Sequence, residues 1–170
     1  MERLGTFTDA SAKVLADVRR CLTTIQGLSA LPFETPEAGV AILQRLRSET
    51  YEDLNQIQHE HLIVRAALWL IAGNICPLTT EWFWNPRQTG DDQEPDLQGL
   101  DQGAVIVSAE ITTSAKPDGV IDTRMRNTLR KLSATPGAKY YFVRTESMRN
   151  RAFTKVDRAG WTIQVVLLPL

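Results

Sequence analysis

The chain has 170 residues, 43% hydrophobic and 23% charged, with a formal net charge of −1. Such a composition suits one globular domain, or one domain with a helical extension, and excludes a low-complexity or repeat protein. The longest apolar run, Ala66 to Ala72, falls far short of the roughly 20 residues a membrane span needs; with no signal peptide legible, a soluble cytoplasmic protein is the default.

From Thr8 to about Gln26, Val14, Leu15, Val18, Leu22 and Ile25 recur at helical spacing, and Gly27 closes the helix. Thr35-Pro36-Glu37 is a second start signal: a capping threonine, a proline at the first helical position and an acid in the first turn. A third helix is predicted from about Glu49 to Ala72, ended by Gly73-Asn74, polar in its first half and apolar nearly all round in its second. On its wheel Glu60 aligns with Ile63, Ala67 and Ile71, so a carboxylate emerges from an apolar face, where it is costly unless paired or metal-bound. A partly exposed Glu60 at the polar-to-apolar transition is the alternative. His59 and His61 flank it, but residues two apart on a helix point in different directions and cannot chelate one metal together; either could still be a general base or touch DNA.

After Pro77 the period changes. Thr80 to Trp84 has the β-branched and aromatic content of a strand, with its three aromatics read as core. Asn85 to Gln93 is a polar loop; Asp91, Asp92 and Glu94 read as solvated acids, with an extra metal contact as the lesser reading. Two short apolar runs then flank Asp101-Gln102-Gly103, which predicts a β-hairpin. With that three-residue loop, Leu100 faces Ala104 and Asp96 faces Ser108. Side chains alternate along a strand, so Asp96, Ser108, Glu110 and Thr112 share one side. Asp96 and Glu110 become diagonal neighbours, roughly 7–8 Å apart at Cβ, close enough for both carboxylates to hold one hard cation.

A helix from about Val120 to Leu132 follows, then a strand at 138–144, a helix at 147–157 closed by Gly160, and a last strand at 161–168. On the first of these helices Ile121, Met125, Thr128 and Leu132 form the inward stripe, with Arg124, Asn127 and Lys131 along one flank and Arg126 and Arg130 outside. Such a row suits phosphate contacts, or equally a solvated helix whose bases snorkel. The predicted class is α/β: a mixed sheet of about five strands flanked by helices, with residues 1–48 a helical extension and 49–170 the core.

Charge is divided unevenly. Residues 1–112 carry 8 Lys/Arg against 16 Asp/Glu, a net of −8, and residues 113–170 carry 11 against 4, a net of +7. An acidic half bearing the candidate ligands beside a basic half fits a metal plus a phosphate backbone. Attraction between the halves, or toward a sister subunit, explains the division equally well. Cys21 and Cys76 lack metal-ligand spacing and read as reduced thiols. No Gly-rich phosphate loop, Ser-His-Asp arrangement or paired CxxC is present.

Helix, three-strand meander, helix, strand is the core order of the PD-(D/E)xK nuclease superfamily, the restriction-endonuclease-like fold. The chain resembles that family from about residue 50 to 168, with Pro95-Asp96 matching the PD element and Glu110-Ile111-Thr112 at the (D/E)xK position. The resemblance implies a Mg2+-dependent endonuclease, with Mn2+ as a substitute, acting on DNA. It implies Asp96 and Glu110 as metal ligands, with Glu60 assisting from the preceding helix. Thr112 departs from the motif's lysine, and Lys116 in the next loop or Lys131 on the next helix could replace it; Arg124, Arg126, Asn127 and Lys131 would meet DNA. It further implies a homodimer or a subunit of a larger complex, with the N-terminal helices as interface. The other implied reading is a catalytically impaired DNA-binding or assembly subunit of a restriction or defence complex, with Thr112 as the mark of the loss.

Overall fold

A computed structural model describes residues 1–86 and 94–169. The elements are β1 (Glu2–Arg3), α1 (Phe7–Ser29), α2 (Pro36–Ala72), β2 (Glu81–Trp84), β3 (Leu97–Asp101), β4 (Ala104–Thr112), α3 (Gly119–Ser133), β5 (Ala138–Val143), α4 (Glu146–Ala159) and β6 (Gln164–Leu167). One open mixed sheet runs β1-β2-β3-β4-β5-β6, antiparallel from β1 to β4 and parallel from β4 to β6. Helices cover both faces, which is the mixed α/β architecture read from the sequence. No described helix is long and apolar enough to cross a membrane.

Two cores result. On one face α2 packs Leu62, Ile63, Ala66, Ala67 and Leu70 onto Trp82, Trp84, Val107, Ala109 and Phe142. On the other face α3 and α4 pack Met125, Leu129, Leu132, Met148 and Ala152 onto Tyr141 and Val143. The aromatics of β2 therefore divide: Trp82 and Trp84 are core, and Phe83 is half-buried on the opposite side. Outside the second core, Asp122 of α3 takes a bidentate ion pair from Arg151 and a third contact from Lys155, tying α3 to α4.

The second and third predicted helices are one. The sequence predicts a separate helix from about Glu49, but the Ser48 and Thr50 hydroxyls donate back to the Arg45 and Leu46 carbonyls, at 3.0 and 2.7 Å. Hydroxyls satisfied inside the helix do not cap a new one, so α2 runs unbroken through position 48. On α3, Leu129 is fully buried and Thr128 is only half-buried beside it.

The hairpin differs from its predicted register in two ways. Gln102 and Gly103 both have positive φ, 50° and 80°, which makes a two-residue turn pairing Asp101 with Ala104. Further along, Leu100 pairs with Val105 and Gly99 with Val107, so Ile106 is the extra residue of a bulge. Gly137 lies against that bulge: a Cβ there would stand 2.6 Å from the Ile106 carbonyl carbon, and its φ is +76°. The shorter turn and the bulge shift the register by two residues together. Leu97 faces Ala109, which puts Asp96 opposite Glu110 rather than opposite Ser108. The shift is even, so the shared side survives.

Candidate metal centre

Pro95-Asp96 leads into β3, where the Asn85 amide donates to the Asp96 carbonyl at 2.9 Å and fixes the backbone. The Asp96 carboxylate is buried, and its Oδ2 accepts from the Ile111 amide at 2.7 Å. His59 Nε2, from α2, stands 3.2 Å from the same oxygen, an ion-pair distance without hydrogen-bond geometry. Burial alone would push the Asp96 carboxyl upward, but the His59 charge, the Ile111 N–H and Lys131 outweigh it and hold it below the usual range. The same partnership raises His59, against the effect of its own burial.

Glu110 is buried at the far end of β4, opposite Asp96 in the strand register. Burial first, and then the neighbouring Asp96 charge, push it up to about 8, with Lys131 opposing. Lys131 reaches in from α3 to stand against Glu110 Oε1, and donates to the Glu94 carbonyl at 3.2 Å. Glu110 Oε1 nevertheless has no partner of proper hydrogen-bond geometry. Tyr141, beside Glu110 on β5, is raised by burial and by that carboxylate.

Two buried carboxyls that cannot both ionise comfortably match the hard-oxygen donor set of a divalent cation. Mg2+ is commonly held by one or two carboxylates together with water and phosphate, so Asp96 and Glu110 suffice for it. Among the described residues no cluster of three or more His, Cys, Asp or Glu forms around an ion-sized site. Beside Lys131 opens a cavity of about 540 Å3, lined by Phe83, Pro95, Gln98, Leu100 and Thr135, on the sheet face away from α2.

The other sequence candidates fall elsewhere. Glu60 is 1% exposed, but its carboxylate takes the Lys13 ammonium at 2.5 Å and the Gln56 amide at 3.4 Å. The apolar-face argument for a paired carboxylate holds, and the pair is an ion pair with α1. Thr112 is half-buried, with its hydroxyl accepting from the Ser114 amide at 3.2 Å. Lys116, Arg124, Arg126 and Asn127 are exposed. Asp91 and Asp92 lie outside the described residues.

Sequence reasoning left His59 as a general base or a DNA contact and did not place it beside Asp96. Its signal was present: His59 lies three and four residues before Leu62 and Ile63, both core residues of α2, so it faces inward while His61 is exposed. Comparison with known proteins adds no relative: no family model, curated protein or solved structure matches the chain.

Proposed function

We propose that the protein hydrolyses DNA phosphodiester bonds with Mg2+ held by Asp96 and Glu110. The observation that carries this reading is the meeting of those two buried carboxyls with the Lys131 ammonium at one end of the β3–β4 hairpin. Element order supports it: α2, the β2–β3–β4 meander, α3 and a β5 parallel to β4 follow the core order of restriction-endonuclease-like nucleases. Mg2+ bound there supplies charge to polarise the scissile phosphate and to make a water more acidic.

The chain's own residues do the rest. The Ile111 amide fixes Asp96 Oδ2, with the raised His59 beside it, so this carboxylate is ionised and oriented before substrate arrives. To hold the cation Glu110 would give up its proton. Lys131 then stands free to donate to a phosphate oxygen as negative charge develops, the role the motif lysine would have at Thr112. Exposed Arg124, Arg126 and Asn127 lie on the same helix and extend a positive surface along which a phosphate backbone can lie.

A second reading has its own support. Glu60 is committed to Lys13 and Thr112 replaces the lysine, which suits a DNA-binding or assembly subunit without catalysis. Plasmid cleavage with Mg2+ or Mn2+ separates the two. Cutting by wild type, abolished in folded Asp96→Ala and Glu110→Ala, supports hydrolysis; salt-dependent DNA binding without cutting in either ion supports the binding subunit.

A further inference from the structure

The helices α1 and α2 form an antiparallel pair, set by Lys13 against Glu60 and Arg20 against Asp53. Advancing about 100° per residue, Val40, Leu43, Arg47, Tyr51 and Leu54 fall within about 80° of one another on α2. The four apolar ones are 53%, 63%, 56% and 44% exposed, although large apolar side chains this close together usually find cover. On α1, Leu15 and Leu22 lie about 20° apart and are 49% and 52% exposed.

Both stripes are displaced the same way. From the buried α1 residues Val14, Cys21 and Leu28, Leu15 and Leu22 are turned by about 110°; the α2 stripe is turned in the same sense by about 80° from Leu46, Thr50 and Ile57. In an antiparallel pair, turns of one sense bring both stripes to one side. That side lies opposite Lys13 and Glu60, which sit toward the sheet near Trp84. The pair therefore presents one continuous apolar face away from the rest of the chain.

We infer that this face docks a second copy of the chain, two hairpins closing into a four-helix bundle. The face is two helices wide from Leu15 to the end of α1 at Ser29, on the order of 20 Å by 20 Å in plan, and α2 alone carries it on to Val40; as accessible surface this approaches the roughly 800 Å2 each partner gives a stable interface. A two-fold axis parallel to the helices lays α1 over the partner's α2, antiparallel, as in such bundles. In the α1–α2 register, where 13 meets 60 and 20 meets 53, Leu22 then lies level with the partner's Tyr51. Across the seam Arg47 lies level with the partner's Gln26, an uncharged acceptor, while its own copy stands at the same level diagonally across the bundle. The site lies outside this face, and the inference stands whether or not the protein cuts DNA.

Sedimentation velocity from 1 to 100 µM tests it. Wild type is expected at about twice 19.0 kDa. Leu43→Glu and Leu22→Glu, more than half exposed in one chain, are expected to give monomers with unchanged circular dichroism, whereas Leu68→Glu, exposed elsewhere on α2, leaves the dimer intact. Hydrogen exchange of the wild type gives an independent reading, with protection at 15–22 and 40–54 falling on dilution. A wild type monomeric at 100 µM, or a Leu43→Glu variant that still dimerises, overturns the inference.

Discussion

Lys131, on α3, stands against the Glu110 carboxylate of β4, two residues before the position where the nuclease motif carries its lysine. The side chain that approaches the acid comes from the helix packed over that face of the sheet and not from the acid's own strand. If Lys131 does the work of that missing lysine, Lys131→Met lowers the cleavage rate by roughly 10²-fold or more without unfolding the protein. Lys116→Ala, at an exposed loop position, stays within about twofold of wild type. Single-turnover cleavage measures both, and equal losses in the two variants would remove Lys131 from its proposed role.

Cation binding is expected to release protons. Glu110 is pushed up to about 8 and is therefore largely protonated at pH 7. Apparent Mg2+ affinity then rises roughly fiftyfold from pH 6 to pH 8 and levels off above. Calorimetric titrations in buffers of different ionisation enthalpy report the proton count. A pH-independent affinity over this range would show that Glu110 is not a ligand.

The same group makes a stability prediction. Folding raises the Glu110 pKa from 4.5 to about 8, so between those values the native state holds more protons than the unfolded chain, and stability falls as pH rises. Glu110→Gln removes that loss and stabilises the protein at pH 8, by on the order of 2–4 kcal/mol, with little effect at pH 5. Thermal melts of both proteins at the two pH values check the sign; a variant less stable at pH 8 would contradict it.

Glu60 yields the opposite case. Lys13→Met leaves its buried carboxylate without the ammonium 2.5 Å away and is expected to cost about 1–3 kcal/mol, less than for a fully buried pair because Lys13 is partly exposed. Adding Glu60→Gln recovers much of the loss. Urea unfolding of the three variants measures the coupling, and simple additivity would mean the pair is not an energetic unit.

Most of the fold was legible because periodicity and turn chemistry carry it. The order of strands and helices after Pro77 and the shared side of Asp96 and Glu110 both follow from local sequence. The hairpin register was not legible. Positive φ at Gln102 is unusual for glutamine, and the Ile106 bulge depends on Gly137, thirty-one residues further on. The bond between Lys13 and Glu60 spans 47 residues and leaves no periodic trace, so a buried acid on an apolar face could be matched with a metal as readily as with a lysine. Lys131 was reachable, since its flank of the helix is set by the inward stripe. His59 needed only the knowledge that α2 turns inward at that residue.

The central claim is that Asp96 and Glu110 together hold one divalent cation, and Mn2+ binding followed by electron paramagnetic resonance tests it most directly. At pH 8 the wild type is predicted to bind one Mn2+, displaced by Mg2+, while folded Asp96→Asn and Glu110→Gln leave the free-ion signal undiminished. A wild type that binds no Mn2+, or a Glu110→Gln variant that binds it as tightly as wild type, would contradict the account.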